Sequence, residues 1–211
     1  MITNYLTDAK HFWLYHTGIC ENILGPGKRL IVYSSGCPLS CPDCIERELQ
    51  DLHRGKKWRT DDFISAISPI LNSVDGITFS GGEPFYQAAA LRHILRELSP
   101  QVQTLVFSGY DLDSLIAGFP DILNYIDILI SGAYIKEQSG DFLWRGSENQ
   151  EISSPNKSIP APMLKKWMQS PSAGISMHLS DGNTFIYGIP AKGTLDALQH
   201  KLKDKQLELI C

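Results

Sequence analysis

The chain has 211 residues, 43% of them hydrophobic and 20% charged, enough to bury one sizeable core and too apolar for a disordered segment. Its 19 Lys and Arg against 23 Asp and Glu give a net charge of −4, and the basic residues are scattered, which argues against a surface built to neutralise nucleic-acid phosphates. The early run HFWLYHTGI (11–19) is short, carries two histidines and has no basic lead-in, so it resembles neither a signal peptide nor a membrane span; a cytoplasmic protein is expected.

In chain order, LIVYSS (30–35) reads as a buried strand, apolar and rich in β-branched residues. SSGCPLSCPDC (34–44) follows at once and holds Cys37, Cys41 and Cys44, with two prolines and a glycine keeping it irregular. Phe63, Ile64 and Ile67 begin a helix that Pro69 is expected to kink or end. GITFS (76–80) is the second strand. Leu91, Ile94, Leu95 and Leu98 then mark one face of a helix. TLVFS (104–108) is the third strand, Leu112, Leu115, Ile116 and Phe119 the next helix face, and IDILIS (126–131) the fourth strand.

Strand and helix in alternation imply a parallel sheet with right-handed crossovers, as a doubly wound sheet or as a full or partial β/α barrel. Ligands of such folds collect at the carboxyl ends of the strands. Each unusual motif here sits just past a strand end: the cysteine loop, then Gly81-Gly82-Glu83-Pro84, then Gly109-Tyr110, then Gly132-Ala133-Tyr134. All four are expected on one rim.

The polar stretch 135–162 reads as a long functional or mobile loop. Beyond it GISMHLS (174–180) and TFIYGI (184–189) flank Asp181-Gly182-Asn183, a hairpin signal, and Leu195, Leu198 and Leu202 give a last helix. The expected division is a β/α unit over 1–152 and an added hairpin and helix over 153–211, packed on the same body.

Three of five cysteines within eight residues point to metal or redox chemistry in a reducing compartment. A zinc site would need a fourth ligand, from Cys20, His16 or His53. A [4Fe–4S] cluster held by three thiolates leaves one iron open to a substrate; a plain electron carrier would need a fourth thiolate. Cys20 and Cys211, as isolated thiols, read as inert, His178 as structural, and His11 and His16 as packing residues.

The C-x-x-x-C-x-x-C loop after the first strand, with Gly-Gly-Glu-Pro after the second, resembles the radical S-adenosylmethionine family. More narrowly, GPGKRLIVYSSGCPLSCPDC, GITFSGGEP, LVFSGY, YIDILISGAYI and LWRGSENQ, in that order, are similar to the activating proteins of anaerobic ribonucleoside-triphosphate reductase. The resemblance implies a partial (β/α) barrel and a [4Fe–4S] cluster on the catalytic Cys37, Cys41 and Cys44. It also implies S-adenosylmethionine cradled by Ser80, Gly81, Gly82 and Glu83. Ser108 and Tyr110 would stand beside the nucleoside, and Arg145 would hold a carboxylate with Asn149 nearby.

The implied activity is an oxidoreductase that cleaves S-adenosylmethionine to a 5′-deoxyadenosyl radical and takes hydrogen from a protein glycine. Modification of a peptide or small molecule is the alternative. The implied partners are a glycyl-radical enzyme and a flavodoxin- or ferredoxin-like electron donor, with no nucleic acid and no membrane. The chain departs from the family pattern at Asp43 and Ile45, and at Ser131-Gly132-Ala133, where the activating proteins commonly carry Asp-Gly-Lys. Lys136 or Arg145 would substitute for the missing base.

Overall fold

In the computed structural model, which describes residues 2–42, 44–180, 183–190 and 193–203, the first element is a strand, β1 (His11–Glu21). Its register against the next strand, β2 (Lys28–Ser34), shifts between Leu14 and His16. That bulge breaks the alternation a strand shows in sequence, so HFWLYHTGI looks like an aromatic cluster rather than an element. After the cysteine loop and two single 3-10 turns, β3 (Lys56–Arg59) pairs with the outer edge of β1.

Then come α1 (Thr60–Leu71), β4 (Gly76–Gly81), α2 (Ala88–Leu98), β5 (Gln103–Ser108), α3 (Leu112–Gly118), the single turn α4 (Pro120–Leu123) and β6 (Ile128–Ser131). Of the two outcomes expected at Pro69, a kink or an end, the end does not occur, and the helix runs on to Leu71. Pro69 lies in the last turn, and Ile67 and Leu71, anchored in the core on either side, hold the helix past the lost backbone bond.

The stretch 135–162 is structured as well. It holds β7 (Ser139–Phe142), β8 (Arg145–Ser147) and β9 (Glu151–Ser153) before α5 (Ala161–Met168). β10 (Ile175–Ser180) and β11 (Asn183–Gly188) pair antiparallel, followed by α6 (Thr194–Lys203). Asp181 and Gly182 of the expected turn, and the side chains of Leu195 and Leu202, lie outside the described residues, as do Asp43 and Cys211.

Among the described residues the fold is mixed α/β around one large sheet of order β3-β1-β2-β4-β5-β6-β9. The inner four, β2, β4, β5 and β6, are parallel; β1 and β9 run antiparallel to them, and β3, antiparallel to β1, runs in their direction. Among the described residues no helix is long and apolar enough to cross a membrane.

Alternate residues divide the sheet into two faces. On the helix face Leu30, Val32, Ile77, Phe79, Val106 and Leu129 pack against residues of α1 to α4 such as Phe63, Leu91, Leu95, Leu115 and Ile122. Each such buried side chain contributes about 1.5–3 kcal/mol. On the second face Ile31 joins Cys20, Leu24 and Tyr187, while Leu105, Ile128 and Ile130 join Trp144 and Ile152. Burial on both sides is why the four parallel strands are unbroken apolar runs.

Arg29 closes the amino-terminal end of the sheet and is 0% exposed. Its Nε donates to Thr78 Oγ1 at 2.7 Å, Nη1 to Pro26 O and Gln103 Oε1 at 3.2 and 3.0 Å, and Nη2 to Ile77 O and Gln103 O at 2.8 and 3.1 Å. Every guanidinium N–H thus has an acceptor, and burial pulls its pKa down to about 10. Arg29→Met leaves these buried acceptors without donors, each worth about 1–3 kcal/mol. The variant is expected to lose at least about 3 kcal/mol of unfolding free energy by urea denaturation; an unchanged midpoint contradicts this role.

Candidate active site

Because β2, β4, β5 and β6 are parallel, their carboxyl ends share one edge of the sheet. β2 ends at Ser34 and the cysteine loop begins under tight backbone control. Ser35 N donates to Trp13 O at 3.1 Å, Gly36 N to Leu49 O at 2.7 Å and Cys37 N to Gln50 O at 3.1 Å. Gln87, 1% exposed, sends its Nε2 to Trp13 O at 3.0 Å and Ser35 O at 3.1 Å, and accepts Trp13 N at 2.7 Å. This residue was not singled out in the sequence, where nothing in its spacing signals it.

The end of β4 is stitched directly to that loop. Gly82 N donates to Ser34 O at 2.8 Å and Glu83 N to Gly36 O at 2.9 Å. The approach is so close that a Cβ on Gly82 would sit 2.8 Å from Leu49 O. Gly81, with φ +101°, adopts a conformation that favours glycine and would bring a Cβ to 2.6 Å from Ser34 N. The Gly-Gly pair is therefore required by backbone meeting backbone.

Glu83 then turns inward and is 1% exposed. Its Oε1 accepts Phe85 N at 2.9 Å and Ser108 Oγ at 3.1 Å, and its Oε2 accepts Gly109 N at 2.8 Å. Burial nevertheless outweighs these donors and pushes its pKa up to about 7. The carboxyl ties the end of β4 to the end of β5. Ser108 also accepts Tyr110 N at 3.1 Å, and Gly132 N, past β6, donates to Ser108 O at 3.1 Å and Tyr110 O at 2.8 Å. Ser80 takes Ser34 Oγ on its carbonyl at 3.1 Å and keeps its side chain half-buried, while Tyr110 is half-buried against the helix-side core.

Cys37, Cys41 and Cys44 are free thiols. Burial pushes Cys37 up to about 11, eased by the Leu39 backbone and reinforced by Glu83, Cys41 and Cys44. Cys41 is raised too, chiefly by burial and then by Cys44, and it is eased by the backbone of Tyr134, just past the end of β6. Three neighbouring thiols, two of which (Cys37 and Cys41) resist ionising, are a donor set whose charge an iron cluster would neutralise. The residues present fit such a group.

Zinc fits less well. Cys20 pairs with Arg29, five residues down β2 from Ser34 and thus about 16 Å from the loop. His16 stacks on Phe185 with centroids 3.9 Å apart, and His53 packs edge-on against Trp13 at 5.0 Å. Among the described residues no three His, Cys, Asp or Glu side chains converge as ligands of a single metal ion.

Arg145, expected to hold a ligand carboxylate, has another task. It is 3% exposed; Nη1 donates to Glu148 O at 3.2 Å and Gln150 O at 3.0 Å, and Nη2 to Met168 O at 2.8 Å. Its Nε is buried without a partner, and the guanidinium lies over Phe142. The fork is thus committed to the protein's own carbonyls. Asn149 and Gln150 of the same motif do reach the rim, donating to Ala133 O and Gly132 O, both at 2.8 Å. Gln150 was missed because a motif gives position, not direction.

Residues 23–153 match the family described as 4Fe-4S single cluster domain. The chain belongs to the 4Fe-4S single cluster domain family. It is 33% identical over 144 residues to the anaerobic ribonucleoside-triphosphate reductase-activating protein of Haemophilus influenzae, covering 62% of this chain and 90% of that one. The protein of the same name from Vibrio cholerae is 32% identical over 137 residues, 61% and 88% respectively. The one from Enterobacteria phage T4 is 27% identical over 141 residues, 64% and 89%. The crystal structure of QueE from Escherichia coli overlaps 47% of this chain and 52% of that one, with a TM-score of 0.39 and 10% identity. In this 4Fe-4S single cluster protein the family match spans β2 to β9 and leaves α5, β10, β11 and α6 beyond it.

The raised Glu83 pKa sets a pH dependence. Between its ordinary value of 4.5 and about 7 the folded chain keeps a proton that the unfolded chain has released. Stability from this group is therefore present at low pH and lost as pH rises through that window, by up to about 3 kcal/mol. Urea unfolding of the apo chain at pH 5 and pH 8 is expected to show this loss in the wild type relative to Glu83→Gln. Parallel pH profiles in the two proteins contradict it.

Proposed function

We propose that Cys37, Cys41 and Cys44 hold a [4Fe–4S] cluster through three thiolates, with S-adenosylmethionine bound beside it at the Ser80–Glu83 strand end. The single observation that carries this reading is the convergence of four strand ends. The cysteine loop is hydrogen-bonded to Gly82 and Glu83, Glu83 to Ser108 and Gly109, and Gly132 to Ser108 and Tyr110. The N–H groups of Gly82 and Glu83 are occupied by Ser34 and Gly36, so this backbone edge meets a ligand with carbonyl oxygens, which suit an ammonium group. Ser108 acts through Glu83 rather than on the ligand, and Tyr110 shapes the rim beside it.

Bound there, the pair of cofactors supplies reductive cleavage of S-adenosylmethionine to methionine and a 5′-deoxyadenosyl radical. The protein's share is to fix their geometry and to keep water from the radical. Homolysis needs no general acid or base, consistent with a rim where the buried carboxyl of Glu83 is used for positioning.

The hydrogen donor in this reading is a glycine of a glycyl-radical enzyme, since the relatives are named as activating proteins of anaerobic ribonucleoside-triphosphate reductase. The chain is then an oxidoreductase of the cytoplasm, served by a flavodoxin- or ferredoxin-like donor. Its parallel strands form the partial barrel of the radical S-adenosylmethionine type, and the segment from residue 153 onward is an addition to it.

Anaerobic reconstitution is expected to give about four irons per chain and, with dithionite, to release 5′-deoxyadenosine from S-adenosylmethionine. Cys37→Ala, Cys41→Ala and Cys44→Ala should each abolish release, and Cys20→Ala should retain it. With anaerobic ribonucleoside-triphosphate reductase added, electron paramagnetic resonance should show a persistent glycyl doublet. Zinc in place of iron, or release from any of the three loop variants, contradicts the assignment.

A further inference from the structure

The cysteine loop receives a hydrogen bond from the far side of the parallel strands. Tyr134, just past β6, gives its backbone N–H to the Cys41 sulfur. β4 and β5 lie between β6 and β2, the strand that leads into the loop, so this contact spans the parallel set. The backbone donor to Cys37 is Leu39, inside the loop itself. Tyr134 is held from elsewhere.

The turn after β8 pins the chain on both sides of Tyr134. Gln150 Nε2 donates to Gly132 O and Asn149 Nδ2 to Ala133 O, both at 2.8 Å, and the buried Ser147 Oγ accepts Ile135 N at 3.2 Å. Gly132, at φ +117°, lies so close to this turn that a Cβ would come within 3.3 Å of Gln150 Cα. Gly146 leaves room for the aromatic ring: a Cβ there would lie 3.0 Å from Tyr134 Cδ2. Gln150 is fixed in turn, its Oε1 accepting Gly146 N at 2.7 Å and its carbonyl accepting Arg145 Nη1 at 3.0 Å.

The Ala133 carbonyl and the Tyr134 N–H belong to one planar peptide unit and point in opposite directions. Fixing the oxygen with Asn149 therefore fixes where the N–H points. We propose, on the reading that Cys41 is a cluster ligand, that Asn149 and Gln150 are positioning residues that aim the Tyr134 N–H at the Cys41 sulfur and thereby raise the reduction potential of the cluster. Hydrogen bonds to the sulfurs are among the determinants of that potential. When the cluster takes one electron from its donor, negative charge on the sulfur grows and the N–H stabilises it. Without the bond the cluster is harder to reduce.

The test measures the midpoint potential of the anaerobically reconstituted full chain without S-adenosylmethionine, by electron paramagnetic resonance of samples poised at successive potentials. Asn149→Ala and Gln150→Met change no formal charge, and each is expected to shift the midpoint to more negative values. The sign separates positioning from loosening: a slackened site admits water, which favours the more highly charged reduced cluster and shifts the midpoint upward. A second measurement uses the wild-type chain grown on nitrogen-15 tyrosine. Electron–nuclear double resonance of its reduced cluster is expected to show a nitrogen-15 coupling. The coupling should vanish in Tyr134→Phe grown on the same label, which keeps the N–H and loses only the labelled nitrogen.

Midpoints at or above the wild-type value in both variants overturn the positioning role. So does a wild-type cluster of about four irons with no tyrosine coupling, or a coupling that persists in Tyr134→Phe; in each case the cluster reading stands. A chain that takes up no iron overturns both.

Discussion

The Glu83 carboxyl, shut away from solvent and held by donors from two strand ends, is the contact on which the geometry of the rim depends. Its backbone N–H is fixed to Gly36 beside the first cysteine, and its side chain to Ser108 and Gly109 past the third parallel strand. One residue thereby sets the spacing of three strand ends. A buried carboxylate costs several kcal/mol unless it is hydrogen-bonded, and the pKa of about 7 shows that three donors do not fully offset that cost here. The cost of burial is kept at the site rather than in the apolar cluster on the helix side.

The two ends of the sheet solve different problems. At the amino-terminal end Arg29 spends every donor on neutral acceptors and makes a rigid floor. At the carboxyl-terminal end backbone crosses backbone at Gly81 and Gly82, where side chains would obstruct the approach. Rigidity below and close backbone contact above are what hold three thiols near a strand end that offers carbonyl oxygens. The family match covers this machinery, whereas part of the second face is closed by residues outside it, among them Leu164, Trp167 and Tyr187.

How much of this was legible follows from which signals are local. The four parallel strands are buried on both faces and so announce themselves as apolar runs, and the chemistry-bearing motifs fall just past them. β1 was hidden by its bulge, and β8 and β9, three residues each, are too short to show a period. The Gly-Gly-Glu-Pro motif was legible as a place of close backbone approach, but the use of the Glu83 carboxyl requires Gly109, which only folding brings near. Arg145 illustrates the converse: a guanidinium beside a distinctive motif suggests a ligand clamp, yet nearby carbonyls of Glu148, Gln150 and Met168 claim it. Asp43, the one loop residue without an evident task in sequence, lies outside the described residues.

The central claim is that the fourth position left by Cys37, Cys41 and Cys44 belongs to S-adenosylmethionine and not to a protein side chain. Electron–nuclear double resonance of the anaerobically reconstituted, reduced protein, with S-adenosylmethionine labelled with nitrogen-15 at its amino group, addresses it directly. A nitrogen-15 coupling that appears only with the labelled compound, and persists in Cys20→Ala, is the predicted result. Absence of that coupling in a protein that binds both cluster and S-adenosylmethionine would contradict it.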